Sequence, residues 1–119
     1  MNKDRHPTGL VKSEYNPQTF CLQLTLLGDL RNTTTPSLHQ DVFNILTQKY
    51  EIPPQISLME LDIKSATVVD SAGLNLVIAV VKWGLQYNAD VRIIVGMRGV
   101  LAMMSAIGLD KHAELVYHE

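Results

Sequence analysis

Alternation of apolar and polar residues marks the first quarter of the chain. From Thr19 to Leu27, Phe20, Leu22, Leu24 and Leu26 fall on one side of an extended backbone, and Cys21, Gln23 and Thr25 on the other. A weaker alternation from Leu10 to Tyr15 sets Leu10, Lys12 and Glu14 against Val11, Ser13 and Tyr15. Asn16-Pro17-Gln18 between the two is a turn signal, so the pair predicts a hairpin whose first strand is an edge. The period then changes. Gly28-Asp29-Leu30-Arg31 ends the strand, Asn32 to Thr35 is a polar cap region, and Pro36 suits a first helical position. Leu38, Val42, Ile45 and Leu46 recur at helical spacing and predict a helix to about Tyr50, which Pro53-Pro54 stops.

Ile56 to Ile63 sets Ile56, Leu58 and Glu60 against Ser57, Met59, Leu61 and Ile63, and predicts a central strand covered on both sides. Lys64 to Thr67 is a connection, and Val68-Val69 lead into Asp70-Ser71. Ala72 to Tyr87 predicts a second helix, Asn88-Ala89-Asp90 a turn, and Val91 to Val95 a short β-branched strand. A loop, Gly96 to Gly99, carries Arg98. Val100 to Ile107 predicts a third helix closed by Gly108, and Glu114 to His118 a last short strand. The order β-β-α-β-α-β-α-β predicts a single α/β domain: a mixed β-sheet with covering helices.

The second helix carries more apolar surface than one contact needs. Leu74, Val77, Ile78, Val81 and Leu85 form one stripe; Leu76, Val80, Trp83 and Tyr87 form another. Either a neighbouring helix covers the second stripe, or it offers a partner or homodimer surface, with Trp83 and Tyr87 as anchor types.

Composition narrows the function classes. The chain has 119 residues, 46% hydrophobic and 18% charged, and a net charge of −2, which suits one ordinary domain with no basic stripe for nucleic acid. Residues 1–9 read as a loose polar tail and 10–119 as the domain. That tail lacks the apolar stretch of a secretory signal, and Leu74 to Leu85 is too short and too mixed to span a bilayer, so a cytoplasmic protein without membrane insertion is expected. The single cysteine, Cys21, excludes an internal disulfide framework and reads as a small buried hydrophobe, the other reading being a reactive thiol. No phosphate-binding glycine loop appears; Gly96-Met97-Arg98-Gly99 is too sparse for a dinucleotide fingerprint. His6, His39, His112 and His118 lack metal-ligand spacing, and Glu60 and Asp62 share one side of a strand with no nucleophile beside them. Neither catalysis nor a cofactor nor a metal is expected.

Ser71 is the residue with a distinctive position. It stands between a β-branched run and an apolar helix, where a hydroxyl can cap free backbone N–H groups and where added phosphate would meet the positive end of the helix dipole. Local chemistry leaves two readings open, a plain N-cap and a phosphorylated switch.

Val68-Val69-Asp70-Ser71-Ala72-Gly73-Leu74 resembles the D-S-[STA]-G-L segment of STAS domains, the fold of anti-sigma-factor antagonists. Leu26-Leu27-Gly28-Asp29-Leu30 is similar to that family's strand-ending G-[ED]-L step, and Met103-Met104-Ser105-Ala106-Ile107-Gly108-Leu109 to its late helix ending in G-L. The resemblance spans nearly the whole chain, from about Leu10. It implies a bacterial binding module of stress signalling and transcription regulation. Such a module takes an anti-sigma serine kinase away from its sigma factor, is phosphorylated by that kinase at the serine matching Ser71, and is reset by a PP2C-type phosphatase. It further implies partner contact through Asp29, Arg31, Asp70, Ala72, Gly73, Asn75 and Leu76, with Gly73 admitting a partner's backbone or nucleotide phosphates. Two positions depart from the pattern. Ala72 replaces a frequent second hydroxyl, which leaves Ser71 alone. Arg31 replaces a frequent acid, so it either reverses the charge preference of the partner or pairs with Asp29 or with phosphate on Ser71. The alternative role is a constitutive STAS subunit of a signalling scaffold or of a membrane lipid-transporter complex. A small-ligand domain would need a pocket near Gly28 and Ser71.

Overall fold

Strands that follow one another in the same direction return through crossovers of a single hand, and this places the returning helices on one face of the sheet. The computed structural model, which describes residues 10–49 and 55–118, shows that arrangement. β1 (Val11–Asn16) pairs antiparallel with β2 (Cys21–Leu26); β3 (Leu58–Ile63), β4 (Asp90–Val95) and β5 (Glu114–Tyr117) then add in parallel, in the order β1-β2-β3-β4-β5. Helices α1 (Thr35–Asn44), α2 (Ser71–Gln86) and α3 (Arg98–Ala106) fill the three crossovers.

The alternation read from the sequence decides which strand residues the helices cover. Leu22, Leu24 and Leu26 of β2, Met59, Leu61 and Ile63 of β3, and Val91, Ile93 and Val95 of β4 are buried beneath them. Leu38 and Val42 of α1, Leu76, Val77, Val80 and Val81 of α2, and Val100 and Met104 of α3 close the core from above. Each such aliphatic side chain stabilises the fold by about 1.5–3 kcal/mol relative to leaving it in water.

Several expectations are corrected. β3 is covered on one face only among the described residues. Its other face belongs to an open polar surface, where Glu14, Gln23, Glu60, Arg92 and Glu114 stand in register across all five strands. Gln23 donates to Glu60 at 2.9 Å, and Arg92 bridges Glu60 at 3.2 Å and Glu114 at 2.7 Å. An apolar strand therefore pairs on both edges yet buries one side. Phe20 does not continue the β2 stripe; with φ of 57° it sits in the hairpin turn, which Asn16 ties by accepting from the N–H groups of Gln18 and Thr19. Helix α1 begins one residue earlier than Pro36, and its last turn widens to π geometry over Ile45–Lys49; the predicted end near Tyr50 and the Pro53-Pro54 stop lie outside the described residues, as does the 1–9 tail. Cys21 is half-buried on the open face rather than in the core, and burial together with the nearby Glu60 charge raises its thiol pKa.

The extra apolar surface of α2 goes to the core. Leu76, Val80 and Trp83 are buried, and the Trp83 ring packs at a tilt against Tyr87, centroids 4.5 Å apart. Trp83 is thus no partner anchor, while Leu85 and Tyr87 stay exposed at the end of α2 remote from Ser71. No helix of the described residues is long and apolar enough to cross a membrane.

Candidate functional site

Beyond the carboxyl ends of β2 and β3 the two chains stay in step for one further residue pair. Leu30 and Val69 form a parallel bridge: the Leu30 N–H donates to the Val68 carbonyl at 2.9 Å, and the Asp70 N–H donates to the Leu30 carbonyl at 3.0 Å. Two aspartates lock this junction. Asp29 Oδ1 accepts from the Thr67 N–H, the Thr67 hydroxyl and the Val68 N–H at 2.8, 2.9 and 3.1 Å. Asp70 Oδ1 accepts from the Gly73 N–H at 3.0 Å, and its Oδ2 accepts from the Asn32 N–H at 2.7 Å. The donors from Thr67 and Val68 hold the Asp29 carboxyl below its ordinary pKa. The Gly73 N–H does the same for Asp70, against some desolvation, with help from the Asn32 and Ala72 N–H groups and the Arg31 charge.

Asp70, and not Ser71, is therefore the N-cap of α2. Its backbone is extended (φ −89°, ψ −173°), as a cap requires, and its carboxylate takes the N–H three residues on. Ser71 follows as the first helical residue. It is exposed, and its hydroxyl has no hydrogen bond among the described residues. Aspartate and serine are both good caps, so the Asp-Ser pair alone did not say which would serve. The residue with two acceptor oxygens won, because it can cap the helix and tie down Asn32 together.

Gly73 lies where α2 presses against this junction. A Cβ there would sit 2.4 Å from the Leu30 carbonyl oxygen and 2.6 Å from the Leu30 Cβ. The close approach expected at Gly73 is thus made to the protein's own backbone. Leu76 is only 1% exposed and belongs to the core; its side chain offers a partner nothing in this structure. The expected site is brought together as a smaller set. Arg31, Ser71 and Asn75 are exposed, and Asp29, Asp70 and Ala72 are partly accessible beside them. Arg31 reaches Asp29 Oδ2 at 3.4 Å. The residues missed from sequence are those that build the junction, Asn32, Thr34, Thr35 and Thr67, and those of a shallow, mostly apolar groove of about 530 Å³ between α1 and α2. Thr35, Pro36, His39, Gln40, Ala72 and Asn75 line it, so it opens directly beside Ser71 and does not extend to Gly28. The helical period of Pro36, His39 and Gln40 could have pointed to that exposed face of α1; the pairing with α2 could not be read. Among the described residues no cluster of three or more His, Cys, Asp or Glu is placed to hold a metal ion.

Compared with protein-family models and with curated proteins, the chain matches none. Solved structures do match. A candidate anti-sigma factor antagonist from Thermotoga maritima superposes with a TM-score of 0.74 at 13% identity, over 96% of this chain and 92% of that one. An anti-sigma factor antagonist from Mycobacterium paratuberculosis gives 0.69 at 15% identity, over 89% and 83%. The anti-sigma factor antagonist SpoIIAA in its unphosphorylated form gives 0.61 at 10% identity, over 92% and 89%. The chain has the STAS fold of these antagonists.

Proposed function

We propose that this protein is an anti-sigma-factor antagonist whose grip on an anti-sigma serine kinase is switched by phosphorylation of Ser71. One observation carries the reading. The Ser71 hydroxyl is exposed at the mouth of α2, while Asp70 does the capping. The hydroxyl is thus spare, and a modification there leaves the helix start intact. The fold neighbours are anti-sigma factor antagonists, and one of them is described in an unphosphorylated form, which agrees with such a switch.

The chemistry is that of a substrate. The kinase transfers the γ-phosphoryl group of ATP to Ser71 Oγ: the new O–P bond forms, the β–γ bridging bond breaks, ADP leaves and the hydroxyl proton is lost. A PP2C-type phosphatase returns serine and inorganic phosphate at the expense of one water. Phosphate brings a charge of roughly −1.5 to −2 at neutral pH. The helix N-terminus tolerates that charge, so the fold survives. The interface does not, because a dianion must lose its water against the partner. A loss of about 3 kcal/mol is more than a hundredfold in affinity.

The test is the affinity of the anti-sigma serine kinase of the same organism for the wild type, Ser71→Asp and Ser71→Ala. Ser71→Ala should bind like the wild type and resist switching off, and Ser71→Asp should lose most of its affinity. Equal binding by all three would point instead to a constitutive subunit of a larger assembly.

A further inference from the structure

Arg31 stands beside the α2 mouth with a rigid backbone and a loosely held side chain. Its N–H donates to Thr34 Oγ1 at 3.1 Å, and its carbonyl accepts from the Thr34 and Thr35 N–H groups at 3.0 and 2.8 Å. On either side, Leu30 is bridged to Val69 and the Asn32 N–H is bonded to Asp70. The main chain of Arg31 is thus pinned alongside the residue that precedes Ser71. The guanidinium is different. The side chain that carries it is 52% exposed, and it meets one oxygen, Asp29 Oδ2, at 3.4 Å. The other Asp29 oxygen is already taken by three donors from Thr67 and Val68. A single long contact between exposed groups is a weak ion pair. The Arg31 charge also acts on the Asp70 carboxylate.

We propose that Arg31 is the internal counter-ion of phosphorylated Ser71, drawn away from Asp29 into a two-point contact with the phosphate. This rests on Ser71 being the phosphoacceptor. A guanidinium fork matches phosphate oxygens better than it matches one carboxylate oxygen at long range. The modification then changes the surface twice, by adding a dianion and by withdrawing a cation that the unmodified protein offers to its partner. The charged and titratable groups around that phosphate are Asp70 on its own element, Asp29 and Arg31 from the segment after β2, and His39 from α1 across the groove. Asp70 and Asp29 oppose the second ionisation of the phosphate, and Arg31 favours it.

The test is a phosphorus NMR titration of protein carrying phosphoserine at position 71, incorporated during synthesis so that no kinase is needed. The second ionisation of phosphoserine lies near pH 6. Replacing the cation by Arg31→Gln should raise it by about 0.5 relative to the phosphoprotein that keeps Arg31, the size expected for loss of an exposed ion pair. Arg31→Lys should restore part of the difference, since it keeps the charge and loses the fork. Thermal unfolding of the unphosphorylated Arg31→Gln protein should match the wild type, which separates a local effect from a disturbed fold. Superposable titrations for Arg31, Arg31→Gln and Arg31→Lys would overturn the proposal and leave Ser71 as acceptor untouched. A kinase that never modifies Ser71 would end the switch reading while this titration still reported on Arg31.

Discussion

Replacing Gly73 by alanine tests the packing that holds Ser71 in place. In an open helix the change would be favourable by about 1 kcal/mol, because alanine is the better helix former. Here the added Cβ falls 2.4 Å from the Leu30 carbonyl oxygen and 2.6 Å from the Leu30 Cβ, well inside ordinary van der Waals contact. Leu30 cannot step aside. It is fully buried, and its N–H and carbonyl are both bonded to the segment that leads into α2. The helix must shift by something near an ångström, which strains the Asp70–Asn32 bond. Overpacking of this kind costs about 1–3 kcal/mol. Against backbone atoms the upper part of that range applies, so a net loss of about 1–2 kcal/mol remains after the propensity gain. For a domain of this size that lowers Tm by about 4–10 °C. Thermal unfolding followed by far-UV circular dichroism and by the single, buried Trp83 reads it out. Gly84→Ala is the comparison: its Cβ would meet Met59 Cε at 2.6 Å, the far end of a flexible side chain, and Val91 Cγ2 at 3.0 Å, side-chain atoms rather than backbone. It should cost clearly less. A Gly73→Ala protein as stable as the wild type would refute the close-approach argument.

Leu76→Ala should cost about 2–5 kcal/mol through the cavity it leaves, and under the proposed function the folded fraction should bind the anti-sigma serine kinase like the wild type; denaturant titration beside a binding isotherm checks both. The depressed pKa values of Asp29 and Asp70 set an acid limit. Both carboxylates bind protons more readily in the unfolded chain, so their contribution is complete above the ordinary carboxylate range near pH 4 and is lost as pH falls through their folded values. Urea unfolding between pH 6 and pH 2.5 should show stability falling below about pH 4, and a double Asp29→Asn, Asp70→Asn variant should show a flatter decline.

The strand and helix order was legible because each element keeps a clean period. The Leu22, Leu24, Leu26 alternation and the Leu38, Val42, Leu46 spacing both reappear as core. The number of covered faces was not legible. Leu58, Glu60 and Asp62 sit among apolar neighbours, and an apolar strand looks the same whether helices cover one face or two. What separates the cases is that β2 to β5 lie in sequence order, so every crossover returns to one side. At the site, Asp29 and Asp70 stand 38 or more residues from partners such as Thr67 and Asn32. No local pattern announces bonds that long in sequence. Gly73 was expected to admit a partner's backbone or phosphates, and the atoms that approach it here belong to Leu30. The two stripes of α2 likewise could not reveal that Trp83 turns inward.

Under the proposed function, the exposed Ser71 hydroxyl receives phosphate from the anti-sigma serine kinase that the protein captures. The most direct measurement is intact and fragment mass after incubation with ATP and each anti-sigma serine kinase of the same organism, for the wild type and Ser71→Ala. One added phosphoryl group should appear, located on Ser71 and absent from the variant. No addition with any of those kinases, or an addition that persists in Ser71→Ala, would contradict it.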